Sequence, residues 1–178
     1  MLKKILPNIY DKLNPTQFAY IPRPGSGTVS ALVLTYHRFL EFLDQSSGCV
    51  RLLTTDFSKA FEKIPHETII NDCIKFGLPS TAVSWISSFL SDRWQRVIFD
   101  GTLSSWASIT SGVPQGSVLG PVLFCMSIDA LVPHCRNTCV TKYADDVTFF
   151  TSSDVHLTIT SSLNGIILSH GLIVTGSL

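Results

Sequence analysis

Two aspartates, Asp145 and Asp146, stand side by side between the apolar runs Val140–Tyr143 and Val147–Phe150. Each run reads as a short strand, so Ala144-Asp145-Asp146 marks the turn of a hairpin. Neighbouring carboxylates repel, and closeness to a core raises the cost of keeping both ionised. The plain resolution is a solvated hairpin tip, the usual setting of acids in a turn. The other is a divalent cation. A third acid, Asp56, ends another core-like strand, Val50–Thr55, where by itself it would be a cap or turn residue. Mg²⁺ takes oxygen ligands and commonly shares one or two carboxylates with substrate phosphates. Three acids converging from two strands would hold two such ions ~4 Å apart, an arrangement that steadies attacking and leaving oxygens in phosphoryl transfer.

The rest of the chain supplies a frame for these acids. Ile5–Leu13 predicts a short helix, and Pro15, Pro22, Pro24, Gly25 and Gly27 punctuate a loop after it. Leu32, Tyr36, Phe39, Leu40 and Leu43 recur every three or four residues, predicting an amphipathic helix over Val29–Leu43 that ends near Ser46-Ser47-Gly48. Pro65 opens a helix over His66–Phe76 with Ile69, Ile70, Cys73 and Ile74 on its apolar face, closed by Gly77. Pro79-Ser80 opens another, with Val83, Ile86, Phe89 and Leu90 facing inward. Gln95–Phe99 and Ser104–Thr110 predict two strands around Asp100-Gly101. Ser111–Gly116 is a loop, and Ser117 is placed to cap a long apolar helix reaching about Val132, with Pro121 in its first turn. The order helix, strand, two helices, hairpin, helix, hairpin predicts an α+β domain of antiparallel strands with helices packed on one face.

Composition narrows the function. Of 178 residues 45% are hydrophobic and 15% charged, which excludes a disordered tail. Thirteen basic residues balance thirteen acidic ones, so nucleic acid would have to be held locally or by parts beyond this chain. Cys49, Cys73, Cys125, Cys135 and Cys139 lack zinc-site spacing, as do the histidines, so reduced and mostly buried thiols are expected. No apolar run reaches the ~18 residues of a membrane span, and Pro7, Asn8 and Asp11 interrupt the start before any signal-peptide core forms. A soluble, intracellular protein without membrane contact is the expectation, cytoplasm and nucleus being undistinguished.

Three segments in this order resemble the polymerase blocks of reverse transcriptases, most closely those of non-LTR (LINE-like) retrotransposons. The first is Thr55-Asp56-Phe57-Ser58-Lys59-Ala60-Phe61, followed by Ile64-Pro65-His66. The second is Ser111-Gly112-Val113-Pro114-Gln115-Gly116-Ser117-Val118-Leu119-Gly120-Pro121, and the third is Tyr143-Ala144-Asp145-Asp146. Gln17-Phe18-Ala19-Tyr20, leading to Ala31-Leu32, is similar to the fingers block that precedes them. The resemblance spans roughly residues 1–150. It implies a polymerase palm with partial fingers: a fingers segment over 1–50, a palm carrying the catalytic motifs over 51–150, and a truncated or divergent tail over 151–178 without a thumb.

The resemblance also implies roles. Asp56, Asp145 and Asp146 match the catalytic, metal-binding acids for two Mg²⁺ ions, with Mn²⁺ as a substitute, and the Phe57 carbonyl matches an added ligand. Phe61 falls at the sugar gate, where a bulky ring excludes a ribose 2′-OH; the plain reading, a core phenylalanine, is compatible with that role. Gln115 and Gly116 match the loop beside the incoming nucleotide and template; satisfying loop amides is the less favoured role for Gln115. Tyr143 matches a residue near the primer terminus. Arg23 and Lys59 are the nearest cations for phosphates, or else plain surface charges. RNA template, DNA primer and dNTPs are the implied partners, with thumb and flanking domains supplied by a longer polyprotein.

Departures from the family pattern are few in the blocks and larger in the tail. Glu62 stands where the family commonly has aspartate, and Ile21 where it often has arginine. No charged residue follows Asp154 and no Lys or Arg follows Lys142; Asn164-Gly165-Ile166-Ile167-Leu168 only faintly echoes a family segment that carries a lysine. The implied activity is RNA-directed DNA polymerisation. The alternative is an inactive retroelement remnant that acts at most as a binding or structural module. Phe61 disfavours a third reading, an RNA-templated RNA polymerase.

Overall fold

The computed structural model describes residues 2–45, 50–57, 59–133, 138–152 and 174–175, with the backbone alone at 2–4, 45, 56, 152, 174 and 175. Cys49, Cys135 and the stretch 164–168 singled out above lie outside them. Along the chain run α1 (Leu2–Lys12), α2 (Thr28–Gln45), β1 (Val50–Phe57), α3 (Ala60–Lys63), α4 (His66–Lys75) and α5 (Ser80–Leu90). The small strands β2 (Arg93–Gln95), β3 (Ile98–Phe99), β4 (Thr102–Leu103) and β5 (Ala107–Ile109) follow. Then come α6 (Gly120–Ser127), β6 (Thr138–Tyr143), β7 (Asp146–Ser152) and β8 (Val174–Thr175).

The central sheet has the order β6-β7-β1-β8, and each of its pairings is antiparallel. Strand alternation sorts its side chains onto two faces. Val140, Lys142, Val147, Phe149, Leu53 and Phe57 face the core formed with α6 and α4, where Phe124, Ile64, Ile69, Leu123 and Ile128 are fully enclosed. Burying each large apolar side chain contributes roughly 1.5–3 kcal/mol, so this layer dominates the stability. The opposite face receives α2: Thr35 Oγ1 lies 2.9 Å from Thr141 Oγ1, and the ring of Phe42 meets that of Phe150 edge-on at 6.0 Å. Helices therefore cover both faces, not one as expected. The expected apolar stripe of α2 is also only partly used. Leu32, Tyr36 and Leu40 are exposed, whereas Ala31, Thr35 and Phe42 pack. The helix is apolar around more than one face, and periodicity alone cannot select which one meets the sheet.

Two local expectations need correction, and one element was not expected. The helix after Ser117 runs only over Gly120–Ser127 and not to Val132. The Ser117 hydroxyl accepts from Gly120 N–H at 3.0 Å, but past Ile128 the carbonyls turn away to a side chain on β6. The strands around Asp100-Gly101 are interrupted. Arg93 pairs with Ile109 but Ile98 pairs with Leu103, so the return strand carries one extra residue between the two ladders, as in a bulge. The one-turn helix α3 had no periodic signal and was not expected. It begins after Lys59, whose φ is 58°. Elsewhere α4 matches its predicted span to within a residue, α5 begins at Ser80 as expected, and Gly77 closes α4 at φ 73°.

Candidate active site

β6 and β7 form a tight hairpin. Tyr143 pairs with Asp146, leaving Ala144 and Asp145 as the turn. Asp145 is half-buried and Asp146 exposed. Ala144 is buried at φ 55°, a left-handed conformation that costs an L-residue roughly 1–2 kcal/mol and persists only where the surroundings impose it. β1 runs beside β7 with Thr55 opposite Val147. The next backbone position on β1 is Asp56, and the preceding one on β7 is Asp146. The register thus brings the first acid's strand position to the acidic turn. On its other side Asp56 pairs with Thr175 of β8, and Phe57, buried in the core, pairs with Val174. Asp56 lies inside β1 and not just past its end.

The loop 14–23 packs against the turn. Gln17 bridges to Lys142, and its Oε1 accepts from Ala19 N–H at 3.1 Å and Ala144 N–H at 3.4 Å. Tyr20 sits at φ 59°, and burial followed by the charge of Asp145 raises the pKa of its hydroxyl. Arg23 serves this loop through Nη2, which donates to the carbonyls of Gln17 at 2.8 Å, Pro15 at 3.0 Å and Asn14 at 3.3 Å.

The glycine-bearing loop is fastened to α3 by the backbone. Gly112 N–H donates to Ile64 O and Val113 N–H to Phe61 O, each at 2.7 Å. Ser111 Oγ donates to Glu62 O at 2.8 Å, and His66 Nε2–H, at the head of α4, donates to Gly112 O at 3.0 Å. Gly112 has φ 80°, and a Cβ there would lie 2.5 Å from Glu62 Cα, so glycine is required. These bonds set Phe61 between the first and second blocks. Its half-buried ring stacks on Phe124 at 4.2 Å and meets Tyr20 edge-on at 6.5 Å.

Gln115 is exposed, and its Nε2 donates to Glu62 Oε1 at 3.5 Å. Gly116 is exposed at φ 77° with open space around it. Alongside opens a cavity of about 490 Å³ lined by Glu62, Arg93, Gln95, Ser111 and Gln115. Lys59 is exposed and Tyr143 half-buried.

The sequence therefore pointed to the acids, Phe61 and the loop, and the structure gathers the described parts of them at one end of the sheet. It gave the Gln17 side chain no role and did not point to Lys142, Phe124 or Arg93. Lys142 alone left a signal, a lysine two residues after the apolar Val140 on the same face of a strand. Among the described residues no group of three or more His, Cys, Asp or Glu is arranged to hold a metal ion. That description includes the carboxylates of Asp145 and Asp146 but not that of Asp56. The two carboxylates, reachable at a turn, form an oxygen donor set suited to a hard divalent cation. Cys73, Cys125 and Cys139 are free thiols, the first two buried and pushed up to about 12 by desolvation. Among the described residues no helix is long and apolar enough to cross a membrane.

Comparison with known proteins places the chain among related sequences and folds. The family described as reverse transcriptase (RNA-dependent DNA polymerase) matches residues 1–176, beyond the point near residue 150 where the motif resemblance stops. The RNA-directed DNA polymerase from mobile element jockey of Drosophila melanogaster is 32% identical over 115 residues, covering 61% of this chain and 12% of that protein. The Pol polyprotein from the type-1 retrotransposable element R2 of Popillia japonica is 24% identical over 142 residues, covering 72% of this chain and 23% of its own length. This chain thus spans less than a quarter of either relative. In fold it is similar to a telomerase from Candida tropicalis, with a TM-score of 0.71 at 9% identity, covering 99% of this chain and 33% of that one. A family match over nearly the whole length, on a fold whose central sheet carries the acidic turn and whose glycine loop is bonded to α3, leads to one assignment: the chain belongs to the reverse transcriptase (RNA-dependent DNA polymerase) family.

Proposed function

We propose that this chain is the palm, with part of the fingers, of an RNA-directed DNA polymerase that adds dNTPs to a primer 3′-OH on an RNA template. Residues 1–50 are read as the fingers segment, 51–150 as the palm and 151–178 as the tail. One observation carries the reading: β1, bearing Asp56, runs antiparallel beside the strand that opens with Asp146, while the glycine loop is bonded to the helix bearing Phe61. Asp56, Asp145 and Asp146, with the Phe57 carbonyl, would hold two Mg²⁺ ions. When bound, these supply charge neutralisation and activation of the attacking hydroxyl.

The chain's own residues then orient and select. Phe61, held by Phe124, presents a ring edge against a ribose 2′-OH. Gln115 and Gly116 offer an amide and an open backbone to the nucleotide and template. Tyr143, one residue before the turn, supports the primer terminus. Lys59 meets phosphate from the loop after β1. Arg23 would do so only through Nε and Nη1, because Nη2 holds the loop 14–17. A telomerase solved with telomeric RNA shares the fold, which supports an RNA partner.

The test is cation and nucleotide binding by the purified chain. Mn²⁺ titrated by electron paramagnetic resonance should bind, and Asp145→Asn or Asp56→Asn should weaken binding at least tenfold. dTTP should bind better than UTP in the presence of Mg²⁺. Mn²⁺ affinity indifferent to both substitutions would refute the assignment and favour the inactive remnant.

A further inference from the structure

The strand that ends in the acidic turn carries a lysine with no exposed surface. Lys142 Nζ donates to three backbone carbonyls, Asp129 at 3.0 Å and Ile128 and Leu131 at 3.2 Å each. An ammonium has three N–H groups and no acceptor, so this cage uses it completely. The carbonyls belong to the chain just past α6, where a helix leaves groups without intrahelical partners and its dipole favours a cation. The Lys142 backbone is tied as well: its N–H donates to Thr16 O and its carbonyl accepts from Phe18 N–H, both at 2.9 Å. Between those two residues lies Gln17, whose Oε1 reaches the Ala144 amide. One residue thus joins the end of α6, the loop 16–19 and the strand that leads into the turn.

A buried charge persists only where it is paired and hydrogen-bonded. Burial pushes the Lys142 ammonium down to about 8 against the opposing influence of Asp129 and Cys125, so it remains protonated at neutral pH. An apolar residue would complete this inward face, which already has Val140 beside it, without any such cost. What the lysine adds is position. Two residues on, Ala144 is held at φ 55°, a conformation that relaxes unless neighbouring structure enforces it.

We propose that Lys142 is the positioning residue of the acidic turn, a resident ammonium in a carbonyl cage that fixes where β6 ends and so where Asp145 and Asp146 are presented. The consequence for cation binding rests on the site reading above; the positioning itself does not. The experiment is chemical rescue at pH 7. Lys142→Ala is compared with the unaltered chain, with added n-propylammonium and with n-propanol as an uncharged control, by hydrogen exchange and by Mn²⁺ resonance. Exchange of the amides at 144–147 should rise about tenfold while those of α4 stay unchanged, and Mn²⁺ affinity should fall about tenfold. Propylammonium should reverse both changes and propanol neither. Exchange that rises equally in α4 and the turn, or rescue by propanol as well, would reduce Lys142 to core packing and overturn the proposal. If Lys142→Ala does not fold, Lys142→Met, which fills the cage without a donor, is read by exchange alone: the amides at 144–147 should rise about tenfold with those of α4 unchanged, and an equal rise in both would overturn the proposal. If the unaltered chain binds no Mn²⁺ that Asp145→Asn removes, the cation site fails, and the exchange measurement alone decides Lys142.

Discussion

The ring of Phe61 lies on that of Phe124 with centroids 4.2 Å apart and planes inclined by 25°. The two readings of Phe61, core residue and sugar gate, are therefore compatible: one face is supported by the core and the ring remains half-buried, not enclosed. Phe61→Val should lower stability by about 1–2 kcal/mol, through lost stacking and burial. It should also reduce the preference for dTTP over UTP at least tenfold, measured by competitive binding with Mg²⁺. Stability loss with the preference intact would leave Phe61 in the core role alone.

Gly112 and Gly116 both have positive φ but different surroundings. A Cβ on Gly112 would strike the backbone of Glu62 and Phe61 at 2.5–2.6 Å, whereas one on Gly116 meets nothing within 4 Å. Gly112→Ala should cost about 2–4 kcal/mol, because the loop must leave α3. Gly116→Ala should cost only the backbone penalty of about 1 kcal/mol. Urea unfolding of the two variants tests the order, and equal losses would contradict the loop-to-helix bonding as the origin.

Stability should pass through a maximum between pH of about 8 and 9. Lys142 titrates at about 8 when folded against 10.5 ordinarily. Above pH 8 the unfolded chain holds a proton that the folded one has released, and stability rises. Cys73 and Cys125 titrate at about 12 against 9. Above pH 9 the folded chain keeps protons that the unfolded chain loses, and stability falls. Denaturation midpoints at constant ionic strength under reducing conditions should show the peak. Lys142→Met should remove the rising limb, and the double change Cys73→Ala, Cys125→Ala should make the falling one shallower, leaving the part owed to Cys139, whose thiol burial also pushes up.

Primer extension by this chain alone should be poor and should vanish as salt is raised. Thirteen basic residues are offset by thirteen acidic ones, and no Lys or Arg follows Lys142. Affinity for a duplex scales with the phosphates neutralised. Incorporation of dTTP on poly(rA)/oligo(dT) that persists at 200 mM salt, and is lost in Asp145→Asn, would show this expectation wrong.

The strands and helices with strong local signals were legible in advance. α4 begins after Pro65 and ends at Gly77 because proline and glycine impose φ by their own covalent structure. The hairpin at Asp145 follows from alternation on either side of a turn. α6 was misjudged because its end is set by Lys142, fifteen residues past Ser127 in the chain. α2 was oriented wrongly because its apolar residues encircle it, and only the sheet selects a side.

By itself the sequence determined the inventory: which acids, which glycines, which ring, and in what order, since these are properties of residue type and short spacing. The tertiary structure decided their arrangement. It set β1 beside β7 at a register that brings the position of Asp56 to the turn, bonded the glycine loop to α3, and closed a carbonyl cage on Lys142. Such contacts join residues tens of positions apart. They arise from packing and hydrogen-bond satisfaction in three dimensions, which local patterns do not encode.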